Sequence, residues 1–174
     1  MSTTATDWSS DVFREMKARD IATVCTVPDG GLTQLLKMIE GERQMRLVTL
    51  STEEEGIGIA TGCWLGGSRA MIAMQSSGVG NCINMLSLPQ NCRIPFLSLI
   101  TMRGEWAEFN PWQVPMGVAT PSVLTAAGVH VRRADTPDDA AETVAASAAL
   151  AFDSAVPVAV LLSQRLVGAK VFAK

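Results

Sequence analysis

Histidine occurs once in these 174 residues, as His130. A lone imidazole excludes a histidine-rich zinc centre and a triad built on a histidine base. With no partner residues near it in the chain, His130 reads as a structural or surface residue. Four cysteines, Cys25, Cys63, Cys82 and Cys92, are widely spaced and form no C-x-x-C. They read as buried free thiols of a reducing compartment, not as staples or metal ligands. Charged residues are only 18%, and the net charge of −3 comes from interspersed signs. No basic footprint for nucleic acid is left. The apolar runs are strand-sized, and none approaches the roughly 20 residues of a membrane span. Residues 1–7 are polar, without the basic start and apolar stretch of a signal peptide, so a cytoplasmic location is expected. Neither G-x-x-x-x-G-K-[ST] nor G-x-G-x-x-G is present, which leaves a nucleotide-binding, flavodoxin-like reading weak.

What is present is apolar: 48% of the residues. The chain is long enough for one domain with a substantial core. Apolar content this high implies that a partner covers some of the surface. Helical spacing runs over Trp8–Arg19, Leu32–Ile39, Glu53 to about Gly66, Val79–Asn91, Pro121–Ala127 and Pro137–Ala151. Between these lie apolar β-type runs at Ile21–Val27, Leu47–Leu50, Ala70–Met74, Pro95–Thr101, Val129–Arg132 and Val158–Leu162, several continuous enough for strands buried on both faces. The alternation predicts a three-layer α/β/α domain whose mostly parallel sheet has about six strands. Residues 1–174 read as a single domain, with 1–7 and 165–174 as flexible or irregular ends.

The chain is organised around Leu47–Gly62, L-V-T-L-S-T-E-E-E-G-I-G-I-A-T-G. Ser51 and Thr52 suit a helix N-cap, and three carboxylates, Glu53, Glu54 and Glu55, fall in the first turn, where the helix dipole favours them. Gly56, Gly58 and Gly62 each cost the helix up to about 1 kcal/mol relative to Ala. Such a helix makes sense where its backbone lies very close to something else. A carboxylate at the end of a buried strand, on a tightly packed helix, is therefore a candidate for chemistry.

Other candidates also lie at predicted strand ends. Asp29 either caps the next helix or faces a ligand, since open α/β sheets bind ligands at the carboxyl ends of their strands. Gln75-Ser76-Ser77-Gly78 is a tight turn into a helix. Arg103 follows directly from a strand; its guanidinium suits an anionic substrate, or a structural salt bridge to Glu105 or Glu108. Met102–Gly117 has no periodic pattern, and Trp106, Phe109 and Trp112 within it suggest contact with a partner chain.

The pattern E-x-x-x-x-[GI]-x-A-x-G after a strand resembles the pyrimidine-binding (PYR) domain of thiamine-diphosphate enzymes. Counting nine residues back from Gly62 lands on Glu53, the position of that family's glutamate. Together with A-M-I-A-M-Q-S-S-G-V-G-N, R-I-P-F-L-S-L-I-T-M-R-G-E and F-N-P-W-Q-V-P-M-G, the pattern is similar to α subunits of sulfopyruvate decarboxylases, with phosphonopyruvate decarboxylases as near relatives. The resemblance runs from about Val24 to the end. It implies that Glu53 hydrogen-bonds the aminopyrimidine of thiamine diphosphate and favours the tautomer that activates the cofactor. It further implies cofactor contacts from Gln75, Ser76, Gly78 and Asn81, and substrate contacts from Asp29, Gln75 and Arg103. The reaction implied is decarboxylation of a small anionic 2-keto acid, sulfopyruvate to sulfoacetaldehyde, with phosphonopyruvate as the alternative substrate. The family's G-D-G motif, which holds the diphosphate through Mg²⁺, is missing here. The resemblance therefore implies half of a split enzyme, with no metal ligands in this chain and a partner subunit that carries G-D-G. Homo-oligomeric contacts are expected as well. A non-catalytic regulatory or assembly subunit is the reading from another class; Glu53 at the right spacing argues against it.

Overall fold

The computed structural model describes residues 7–168. Helix α1 (Trp8–Ala18) leads into strand β1 (Ile21–Thr26), and a single 3-10 turn at Gly30–Leu32 precedes α2 (Thr33–Gly41). Next come β2 (Arg46–Thr49), α3 (Glu53–Leu65) and β3 (Arg69–Gln75), then two short helices, α4 (Ser76–Cys82) and α5 (Ser87–Cys92), and β4 (Phe96–Thr101). The second half runs through α6 (Val114–Ala126), β5 (His130–Ala134), α7 (Pro137–Ser154), β6 (Pro157–Leu162) and α8 (Gln164–Val167). The six strands are all parallel, in the order β2-β1-β3-β4-β6-β5.

The apolar runs explain the order. Every residue of β4 and β6 is buried, as suits central parallel strands covered on both faces, whereas β2 and β5 are partly exposed and form the edges. Side chains alternate between two cores. Met71, Leu97, Leu99, Val158 and Val160 pack under α1, α2 and α7, while Ile72, Met74, Phe96, Ile100 and Leu161 pack under α3 to α6. This is the expected α/β/α layering.

Three local expectations change. The helix expected over Val79–Asn91 is two helices, broken at residues 83–86. Pro89 lacks the N–H that a continuous helix would need there, whereas in the first turn of α5 that N–H would have no intrahelical partner anyway. Helix α6 starts at Val114, earlier than the residue 121 expected, and carries Pro121 inside it. The tail expected from Ser163 begins with the helical turn α8; residues 1–6 and 169–174 lie outside the described residues.

No described helix is long and apolar enough to cross a membrane. The connections after β1 and after β3 leave in opposite directions, which opens a crevice between these two strands at their carboxyl ends. The candidate residues converge around that crevice.

Candidate active site

The three glutamates that open α3 do three different things. Glu54 is exposed. Glu55 reaches back to accept the Ser51 N–H at 2.9 Å and so ties the segment before the helix to its first turn, while the N-cap Thr52 side chain makes no capping bond. Glu53 alone turns inward and is 6% exposed. Its Oε2 accepts a hydrogen bond from Asn81 Nδ2 at 2.7 Å, from α4. Its Oε1 has no hydrogen-bond partner among the described residues. Gly78 makes room for this carboxylate: a Cβ there would stand 2.6 Å from the Glu53 carboxyl carbon. Beside it the Cys82 thiol is pushed up to about 12, by burial first and then by the charges of Glu53 and Glu54, so it stays a neutral wall.

The glycines of α3 divide in the same way. A Cβ on Gly56 would crowd Ile72 and Leu50, both at 3.0 Å, so the backbone does lie close to β3 there. At Gly58 and Gly62 a Cβ would meet nothing within 4 Å of this chain.

On the other side of the crevice Arg103 follows β4 and is 7% exposed. Its Nε and Nη2 donate to the two oxygens of Glu108 at 2.7 and 2.6 Å, and Nη1 makes only a 3.5 Å contact with Gln75 Oε1. The ion pair with Glu108, one of the two structural partners considered, is thus present. Glu108 also accepts N–H bonds from Gly104 and Asn110 and an amide bond from Gln164. Its carboxyl is held at about 2, chiefly by Arg103. The backbone of Arg103 is fixed too. Its N–H donates to Ser76 Oγ at 3.1 Å, and a Cβ on Gly117 of α6 would stand 2.8 Å from its carbonyl carbon.

Asp29 caps the 3-10 turn through the Gly31 N–H and accepts the Thr101 hydroxyl, each at 3.0 Å. Capping and facing the crevice coexist: Asp29, Gly31, Thr101, Arg103 and Val167 line a cavity of about 180 Å³. The segment Gln75–Asn81 joins the two sides, since Gln75 and Ser76 touch Arg103 while Gly78 and Asn81 touch Glu53. The seven candidate residues therefore form one connected set at the carboxyl edge of the sheet, and of them Asp29 and Arg103 line this cavity. Sequence reasoning missed Thr101 and Gln164. Gln164 is a polar residue two positions past the apolar run of β6, and the strand-end rule would have singled it out.

Residues 7–108 match the family model described as "Thiamine pyrophosphate enzyme, N-terminal TPP binding domain". The chain belongs to this family. A sulfopyruvate decarboxylase subunit alpha from Methanocaldococcus jannaschii is 33% identical over 86% of this chain and 89% of its own. A phosphonopyruvate decarboxylase from Streptomyces hygroscopicus is 36% identical over 58% of this chain but only 25% of its own. Among solved structures, a 2-oxoglutarate:ferredoxin oxidoreductase from Magnetococcus marinus superposes with a TM-score of 0.76 at 18% identity, over 92% of this chain and 29% of that one. This likeness confirms the fold.

The residues present fit the ring end of thiamine pyrophosphate. A buried carboxylate with one oxygen tied to Asn81 and the other unbonded among the described residues can accept a ring N–H, and Gly78 lets that carboxylate pack against α4. Among the described residues no three His, Cys, Asp or Glu side chains gather as a metal site.

Proposed function

We propose that this chain is the α subunit of a two-chain, thiamine-diphosphate-dependent 2-keto acid decarboxylase, with sulfopyruvate as substrate and sulfoacetaldehyde and carbon dioxide as products. The observation that carries the reading is Glu53, a buried residue whose Oε2 is held by Asn81 while Oε1 takes no hydrogen bond among the described residues. A subunit with only an assembly role has no use for a carboxylate drawn into the fold with one oxygen left unbonded, because withdrawing such a group from water costs stability. Bound here, the cofactor supplies the carbon nucleophile and the electron sink of decarboxylation. Glu53 holds and returns a proton at the ring nitrogen, and Asn81 keeps its carboxylate oriented. Cys82, uncharged, excludes water from its side.

Arg103 anchors the anionic tail of the substrate through Nη1, the guanidinium nitrogen that Glu108 leaves nearly free. Asp29 on the facing wall repels a like charge and so biases the tail toward Arg103. A phosphonate would meet the same guanidinium, and the Streptomyces relative supports phosphonopyruvate as the second reading.

A partner subunit carries G-D-G, the diphosphate and Mg²⁺. Two observations support this. The chain matches only a quarter of the longer phosphonopyruvate decarboxylase. Next to α4 it also leaves apolar side chains uncovered, with Trp112 at 87%, Val118 at 67% and Ile83 at 44% exposure. The purified chain with thiamine diphosphate and Mg²⁺ is therefore expected to be inactive on sulfopyruvate. Decarboxylation should appear when the G-D-G subunit is added and saturate at a fixed ratio. Robust turnover by the chain alone would overturn the two-chain reading.

A further inference from the structure

Gln164 is 2% exposed and opens α8 directly beyond β6. Its side-chain amide makes three hydrogen bonds to one target, the loop that follows β4. Oε1 accepts the backbone N–H groups of Glu105 and Trp106, both at 2.9 Å, and Nε2 donates to Glu108 Oε2 at 2.9 Å. The amide cannot be turned over without losing all three bonds, because two backbone donors require an oxygen and a carboxylate requires a donor. The loop is tied from outside as well. Glu105 pairs with Arg133 of β5 through two bonds, and Arg165 lies over the Trp106 ring at 4.6 Å.

We infer that Gln164 is a positioning residue for substrate recognition: by clamping residues 105–108 it sets Glu108, and through Glu108 the Arg103 guanidinium that faces the cavity. The inference rests on the reading of Arg103 as the anchor of the substrate's anionic tail. It places the control of that anchor on β6 and α8, elements that carry none of the other site residues apart from a cavity wall at Val167. A buried amide that bonds two N–H groups and one carboxylate is a part that only Gln can play at this size. Asn is too short, and an ionised Glu lacks the donor.

Gln164→Glu tests this with almost no change of shape. The new carboxylate still accepts the two N–H groups but faces Glu108 and Glu105. The other charges around it are Arg103 behind Glu108, Arg133 and Asp135 at the end of β5, and Arg165 on its own helix. Like charge raises the proton affinity of the new group, and once protonated it can donate to Glu108 as the amide did. In the assembled two-chain enzyme the variant should raise KM for sulfopyruvate on the order of tenfold, well beyond any rise for pyruvate and beyond the fall in kcat. The defect should shrink as pH is lowered. An equal loss on both acids, or a defect indifferent to pH, overturns the role. Wild-type amide exchange gives a check that needs no variant: the Glu105 and Trp106 amides should be protected, and exchange at free-loop rates would mean the clamp is absent. Arg103→Ala in the same assay separates the two ideas. If Arg103→Ala shows no preference between substrates, the anchor reading falls and takes the inference with it. Selectivity in Arg103→Ala without selectivity in Gln164→Glu removes only the role of Gln164.

Discussion

Glu53 is buried and the Glu108 side chain is only 4% exposed, yet the surroundings of the two carboxylates are opposite. Glu108 accepts five hydrogen bonds, two from Arg103 and one each from Gly104, Asn110 and Gln164. Glu53 accepts one among the described residues, from Asn81. A saturated carboxylate is a fastening: it holds a loop and a guanidinium in place and has nothing left for a ligand. A carboxylate with one oxygen tied and one open keeps its orientation and retains capacity for a proton or an N–H. Burial alone would have ranked the two alike; only the bonding separates the chemical group from the fastening.

The sharpest way to break this contrast is to remove the charge of each. Glu53→Gln should leave the fold intact by circular dichroism while turnover of the assembled enzyme falls by about 10²–10⁴-fold, the usual contribution of a positioned acid–base group. Near-wild-type turnover would end the assignment. Glu108→Ala should act on stability instead. It leaves the Arg103 charge buried without its partner, which costs on the order of 3–5 kcal/mol, read as a lower urea midpoint of the purified chain. An unchanged midpoint would mean that the pair contributes nothing.

Acid titration carries the same distinction more gently. Glu108 binds its proton at about 2 in the folded chain against an ordinary 4.5. A lowered folded value means that its stabilisation is complete above about pH 4.5 and drains away as pH falls toward 2. The acid limb of the stability curve should flatten in Glu108→Gln; a curve identical to wild type would contradict the shift. The smallest effect is expected on α3. Gly58→Ala and Gly62→Ala meet nothing within 4 Å in this chain, so each should stabilise the isolated chain by up to about 1 kcal/mol. If the same variants weaken assembly in a titration against the partner, the open face of α3 is an interface. If assembly is unaffected, these glycines have no packing role.

Much of the site was legible because it follows strand ends. Asp29, Glu53, Gln75 and Arg103 each come shortly after an apolar run, and in a parallel sheet those ends converge on one edge. The helix breaks were less legible. Pro89 looked like part of a continuous helix because the apolar spacing carries across residues 83–86, and spacing does not register a missing N–H. Gln164 stood at a strand end too, but its partners lie 56 to 59 residues away in the chain, so what it fastens could not be read there.

The sequence by itself determined the layered parallel fold, and its resemblance to the PYR-domain pattern singled out the inward glutamate. Hydrophobic runs specify buried strands, and the spacing from Glu53 to Gly62 is a local quantity. Only the tertiary structure decided which carboxylate is free and which is fastened. A side chain's spare bonding capacity depends on donors brought from distant elements: Asn81 of α4 to Glu53, and Gln164 of α8 to Glu108. No pattern along the chain records which donors will arrive.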